Sequence, residues 1–190
     1  MILLYSGASA PNQVSNATQS IGGFISSTTP ANNVLGNLFS QITKSSLLNN
    51  QEEYKLIVLK NTLSISTSLI KIWTEVQSDW FEIELAALTP GFDQACNRYY
   101  FEQLASSFQA PYQATFSSHE LEINSLNIST PLQPGKYIGI WVKRKFKQEK
   151  LDLFTSNSNQ SCTPQTIEQL EEQLTNLQSQ EKFNLIIDFI

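Results

Sequence analysis

From residue 52 onward, apolar and polar positions alternate in short runs, the period-two pattern of half-buried β-strands. Glu52 to Lys60 places Tyr54, Leu56 and Val58 on one face and ends at a turn-like Asn61-Thr62. Ser68 to Val76 sets Ile70, Ile72 and Val76 against Lys71 and Glu75, with Trp73 on the second face. Trp80 to Leu88 sets Phe81, Ile83 and Leu85 against Glu82 and Glu84, and Pro90-Gly91 then breaks the chain. Residues 95–104 read equally as strand or helical turn. Tyr112, Ala114 and Phe116 alternate, as do Leu121, Ile123, Leu126 and Ile128 after them. Lys136 to Phe146 is the strongest strand, dense in aromatic and β-branched residues and preceded by Pro134-Gly135. Phe183 to Ile190 closes the series.

One segment follows a different period. Ile167, Leu170, Leu174 and Leu177 recur at helical spacing, behind Thr163 as N-cap and Pro164 at the first helical position. Glu168, Glu171 and Glu172 complement the positive end of the helix dipole. The spacing predicts a helix over about 163–180, with its apolar stripe on the domain or in a seam between subunits. Short strands with one helix before the last strand favour an antiparallel β-sandwich, with a small barrel as the alternative.

Residues 1–36 fit neither period. They are rich in Ser, Asn, Thr, Ala and Gly, with Pro11, Pro30 and a Gly22-Gly23 pair. No Asp, Glu, Lys, Arg or His occurs before Lys44. Ser 23, Thr 14, Asn 15 and Gln 17 make up over a third of the 190 residues. Disordered arms are normally charged as well as polar, whereas an uncharged arm can lie against protein without desolvating ions. Two readings follow: a mobile Ser-rich leader, or an extended arm that orders against its own domain or a neighbouring subunit. The domain division is an arm over 1–36 and a β-domain over 37–190.

Composition narrows the chemistry. A single histidine, His119, leaves one candidate for the commonest general base. Ser117-Ser118-His119-Glu120 offers hydroxyl, imidazole and carboxylate, but adjacency in sequence does not build a triad. Glu52 with Glu53, or Glu82 with Glu84, are the paired carboxylates, and solvated strand glutamates explain them as well. Cys96 and Cys162 have no metal-site spacing and read as free buried thiols. No catalytic residue, metal or cofactor is assigned. Net charge of −5 makes direct nucleic-acid binding an unfavourable expectation. Lys143, Arg144, Lys145, Lys147 and Lys150 nevertheless form a basic stretch, read as a guard against edge-to-edge aggregation, a protein interface or a nucleic-acid contact. Trp73, Trp80 and Trp141 read as core or interface anchors, or as a sugar-binding surface. No apolar run reaches the roughly 20 residues of a membrane span, and the opening MILLYSGASAP lacks the pattern of a signal peptide.

Several short motifs, in order, resemble a family. Tyr5-Ser6-Gly7 followed by Ser20-Ile21-Gly22-Gly23-Phe24-Ile25-Ser26-Ser27 is similar to the "SGG…SLGGxIS" opening of a group of tailed-bacteriophage virion proteins. Asn37-Leu38-Phe39 stands where that group has "NNLF", and Glu53-Tyr54-Lys55 with Asn61 where it has "EYR" and "N". Lys71-Ile72-Trp73 resembles its "KIW" strand, and Gly135 through Arg144 its "G-x-x-x-x-IW-[IV]-[KR]-R" segment. The chain departs in having one glycine at Gly7, a lysine at Lys55 and the apparent helical insertion at 163–180. The resemblance implies a non-enzymatic virion component with an immunoglobulin-like or jelly-roll-like β-domain. It implies copies of the chain in a symmetric oligomer, as a ring subunit at the neck or tail, and other virion proteins (portal, neck or tail components) as partners. The implied assembly-interface residues are Ser20, Ile21, Gly22, Gly23, Phe24, Ile25, Asn37, Leu38 and Phe39. The alternative function is a carbohydrate- or receptor-binding module on a phage tail or capsid.

Overall fold

A computed structural model describes residues 1–8, 10, 13–31, 38–39, 49–77, 80–149, 152 and 182–190. The described chain is mainly β, and every strand pair in it is antiparallel. In chain order the strands are β1 (Ile2–Tyr5), β2 (Gly23–Phe24), β3 (Glu53–Lys60), β4 (Ile70–Gln77), β5 (Phe81–Leu88), β6 (Gly91–Asp93), β7 (Arg98–Phe101) and β8 (Ser117–Ser118). A short 3-10 turn at Glu122–Asn124 precedes β9 (Leu126–Ile128), β10 (Tyr137–Phe146) and β11 (Lys182–Phe189). The predicted helix over 163–180 lies outside the described residues.

Three sheets form, in the orders β1-β3-β10-β5-β8, β11-β4-β9 and β2-β7-β6. The five-stranded sheet is covered on both faces. On one face, Ile57, Leu59, Ile83, Leu85, Ile140 and Val142 share a core with Ile70, Ile72 and Ile128 of the β11-β4-β9 sheet. On the other, Leu56, Val58, Ala86 and Trp141 pack with Ile25, Phe101 and Leu104, which come from the N-terminal region and the region of β7. Double coverage explains the run Leu56-Ile57-Val58-Leu59, apolar at every position where a half-buried strand would alternate.

The strands expected around residues 52–60, 68–76, 80–88, 136–146 and 183–190 are observed as β3, β4, β5, β10 and β11. The ambiguous stretch at 95–104 yields strand β7. Two alternating stretches do not become full strands. Tyr112 lies in a turn, 88% exposed, where the Ala114 N–H donates to the Pro111 carbonyl. Leu121 and Ile123 are exposed at the 3-10 turn, and only Leu126–Ile128 pairs as β9. Alternation makes a strand only where the backbone pairs, and Tyr112, Leu121 and Ile123 lie outside every described strand pair. Trp141 is buried, which makes it a core anchor and removes it from any sugar-facing surface. Cys96 is a free thiol, but it is exposed where a buried one was expected. No described helix is long and apolar enough to cross a membrane.

Candidate assembly arm and its seat

The described part of the N-terminal region is ordered along the central sheet. β1 pairs with β3 from Ile2 opposite Lys60 to Tyr5 opposite Ile57, and so becomes the edge of the central sheet. Where β1 ends, Ser20 takes over the same edge: the Leu56 N–H donates to the Ser20 carbonyl at 2.7 Å, and Ser20 Oγ donates to the Leu56 carbonyl at 2.5 Å. One step further along, the Tyr54 N–H donates to the Ser107 carbonyl at 2.6 Å. The outer edge of β3 is thereby closed along its length. An open edge would invite unplanned strand pairing.

Serines carry this seat because a hydroxyl both donates and accepts in a small volume. Ser6 and Ser20 are wholly buried. The Ser6 N–H donates to Ser20 Oγ at 2.9 Å, the two hydroxyls lie 3.3 Å apart, and the Gly22 N–H donates to Ser6 Oγ at 3.1 Å. Ser15 Oγ donates to the Ser6 carbonyl at 2.5 Å. Lys55 Nζ donates to the Thr18 carbonyl at 3.2 Å, so a cation also holds this part of the arm. The absence of charge at Ser6, Ser15 and Ser20 now has a physical basis: their side chains are buried against backbone groups, where a hydroxyl can be satisfied and an isolated ion cannot.

Gly22 turns the chain here. Its φ is +101°, and a Cβ would stand 1.6 Å from the Glu102 carbonyl oxygen. The turn lets Gly23 and Phe24 form β2 against Phe101 and Tyr100 of β7, while the Leu104 N–H donates to the Ile21 carbonyl at 2.9 Å. Ile25 is buried and Ile21 half-buried in the core beneath. Six of the nine expected interface residues, Ser20 to Ile25, are therefore contiguous on one face of the central sheet. Leu38 and Phe39 are buried on the opposite face, where the Phe39 ring lies 5.8 Å from that of Phe183. Asn37 lies outside the described residues.

Three residues of the basic stretch, Lys143, Arg144 and Lys145, are not the edge guard expected, and Lys150 lies outside the described residues. β10 is flanked by β3 and β5, so it is no edge and guards none. Lys143 Nζ lies 2.6 Å from Glu52 and 3.2 Å from Glu84; Lys145 Nζ lies 2.6 Å from Glu84 and 3.1 Å from Glu82. On the other face Arg144 holds Glu53 at 2.6 Å, with Lys55 3.6 Å from the same carboxylate. The Arg144 guanidinium also stands over the Phe39 ring, 4.8 Å from its centre. Burial pushes the Glu84 carboxyl up, but hydrogen bonds from Lys145 and Lys143 outweigh it and hold it below the usual glutamate range. For Lys55 burial dominates over the attraction of Glu53, and its ammonium titrates below the ordinary lysine range. The paired carboxylates noted in the sequence are thus ladder partners of cations. Cross-strand registry creates the ladder: Lys143 faces Glu84, Lys145 faces Glu82 and Arg144 faces Glu53. The signal that could have found it was the complementary spacing of Glu82-x-Glu84 and Lys143-x-Lys145.

Ser117 and His119 do meet, with Ser117 Oγ 2.8 Å from Nε2, while Nδ1 lies 2.5 Å from the Asn124 carbonyl. A carbonyl only accepts, so Nδ1 donates to it, and the Ser117 hydroxyl lies against Nε2. The orienting group is a backbone carbonyl, and Glu120 takes no part in either bond. No described group of His, Cys, Asp and Glu is placed to hold a metal ion.

Comparison with protein-family models, with curated proteins and with solved structures gives no match.

Proposed function

We propose that the chain is a structural, non-enzymatic virion protein of a tailed bacteriophage, a repeated subunit of a ring at the neck or tail. In this reading its N-terminal arm joins it to copies of itself, and other virion proteins flank the ring. One observation carries the proposal: the arm is seated by backbone pairing and buried hydroxyls along one edge of β3. An identical seat exists on every copy, so an arm can occupy its own domain or a neighbour's with the same bonds and without moving ions out of water. Because Ser20 to Ile25 are covered within one chain, contact with a neighbour means exchange of the arm. The motif order from Tyr5-Ser6-Gly7 to Trp141-Val142-Lys143-Arg144 supports the phage assignment. The finer fold class, an immunoglobulin-like or jelly-roll-like sandwich, belongs to the same proposal; it draws on the two sheets that share a core and on the crossovers between non-consecutive strands.

Cross-linking tests the exchange. Phe24 and Tyr100 are directly opposed across β2 and β7, at a Cα separation of about 5 Å that suits a disulfide. Phe24→Cys with Tyr100→Cys, in a chain carrying Cys96→Ser and Cys162→Ser, is oxidised after assembly and run under denaturing conditions. Exchanged arms give a ladder of covalent oligomers. Assembled particles that yield only internally bridged monomers would show that the arm is not the joining element. Immunogold labelling of intact particles then tests the placement at neck or tail.

A further inference from the structure

A second surface lies at the end of the central sheet where β3 finishes and β10 begins. Three aromatic rings stand there in a row. Phe92 of β6 and Tyr99 of β7 are 5.0 Å apart between centres, and Tyr99 and Tyr137 of β10 are 5.3 Å apart. Two ammonium groups cap the row: Lys136 Nζ is 5.2 Å from the Tyr99 ring centre and Lys60 Nζ is 5.4 Å from that of Tyr137. Lys136 also donates to the Tyr99 hydroxyl at 2.5 Å, so that hydroxyl keeps its own proton to donate outward.

Charge distinguishes these two lysines. Lys55, Lys71, Lys143, Arg144 and Lys145 each sit within 4 Å of a carboxylate. Among the described residues, Lys60 and Lys136 have none, and neither does Arg98 beside Tyr99, in a chain whose net charge is −5. Phe92 is 46% exposed, Lys136 is exposed, and Tyr99, Tyr137 and Lys60 are half-buried. The row is supported from below, because Tyr99 and Tyr137 pack onto the core that holds Trp141. Rigid rings, unneutralised cations and an outward hydroxyl donor are the elements of a small polar ligand site.

We infer that this row binds an acidic oligosaccharide, with a sugar C–H face on Phe92 and a carboxylate or other acid group held by Lys60 and Lys136. Size argues against a protein partner: three partly covered rings present roughly 300 Å², well short of the ~800 Å² that a stable protein partner covers on each side. Nucleic acid fits less well, since its affinity comes from neutralising many phosphates and two lysines neutralise few. The rings are tilted by 53–59° and in contact, which leaves no slot for a base between them. A sugar needs none, because it can lie over the exposed ring and reach the amines through its acid group and hydroxyls. The site goes beyond the assembly reading and does not depend on it.

Amide NMR spectra of the full chain, titrated with a galacturonic-acid trimer, test it. Shifts confined to residues 59–61, 91–93, 98–100 and 135–138, with weaker binding of the neutral maltotriose, are expected. Phe92→Ala should weaken binding about three- to tenfold, and Lys60→Gln with Lys136→Gln should abolish the preference for the acidic sugar. Unchanged peaks elsewhere in the spectrum verify the fold of each variant, and Phe92→Leu replaces Phe92→Ala if they do not. The inference is overturned by an absence of shifts at about 10 mM trimer. It is equally overturned if hexaglutamate binds as well as the sugar and ignores Phe92→Ala, or if a thymidine hexanucleotide binds more tightly.

Discussion

Replacing Ser20 by alanine removes one oxygen from a site with no access to water. That oxygen donates to the Leu56 carbonyl at 2.5 Å and accepts from the Ser6 N–H at 2.9 Å. Leu56 is itself fully buried and its N–H is already committed to the Ser20 carbonyl, so its C=O has no route to solvent on that edge. The variant therefore leaves one buried acceptor and one buried donor unsatisfied, at about 1–3 kcal/mol each. Together they amount to about 2–6 kcal/mol, a large part of the 5–15 kcal/mol typical of a domain. The loss should appear as a fall in Tm of roughly 4–24 °C, at about 2–4 °C per kcal/mol for a chain of this size. Urea unfolding of Ser20→Ala gives the loss directly, and hydrogen exchange locates it: amides of Ser6 and Gly22 should lose protection while those of β5 keep theirs. Ser118→Ala, at an exposed position, is the control and should stay within about 0.5 kcal/mol of the parent. A Ser20→Ala variant as stable as that control would refute the claim that buried hydroxyls seat the arm.

Three other outcomes follow from the same structure. Gly22→Ala places a Cβ against the Glu102 carbonyl at a positive φ, and should release β2 from β7, read as lost amide protection at Phe101 with β3 and β10 intact. Glu53→Gln leaves Arg144 and the buried Lys55 without their shared carboxylate and should cost about 3–5 kcal/mol in urea unfolding. The triple exchange Glu53→Leu, Lys55→Met and Arg144→Met should cost less than that single change, because a buried ion set is worth little net of its desolvation. Glu84 has a folded pKa below its ordinary value of 4.5, so the stability it adds is present above that value and lost as pH falls through the lower, folded one. Glu84→Gln should therefore flatten the acid limb of the stability-against-pH curve; an unchanged slope below pH 4.5 would contradict the ladder.

Much of the fold was written in local pattern. Alternation marked β4 and β5, and the apolar density of residues 136–146 marked β10, because burial of one or two sheet faces leaves a direct trace in residue type. Tyr112 and Ile123 misled for the same reason in reverse: they alternate with polar neighbours but find no strand to pair with, and stay exposed. The arm was legible as a composition and illegible as a structure. Its Ser and Gly content fitted a mobile leader as well as a seated strand, since the partners of Ser20 lie 14 and 36 positions away. The aromatic row was hidden more deeply, because Phe92, Tyr99 and Tyr137 come together only where β6, β7 and β10 meet.

By itself the sequence determined that this is an antiparallel β protein, that its first 43 residues avoid charge, and which short runs form the strands of its core. These depend on periods of two residues and on side-chain type, quantities that no distant contact alters. Tertiary structure decided what the unusual segments do. It set the uncharged arm along the edge of β3, turned the basic stretch into a cross-strand ladder, and left Lys60 and Lys136 as cations without a carboxylate beside an exposed ring. Charge and hydrogen-bonding capacity are fixed by residue type, but whether a partner satisfies them depends on which strands become neighbours. That is a property of registry and topology, and it exists only once the chain has folded.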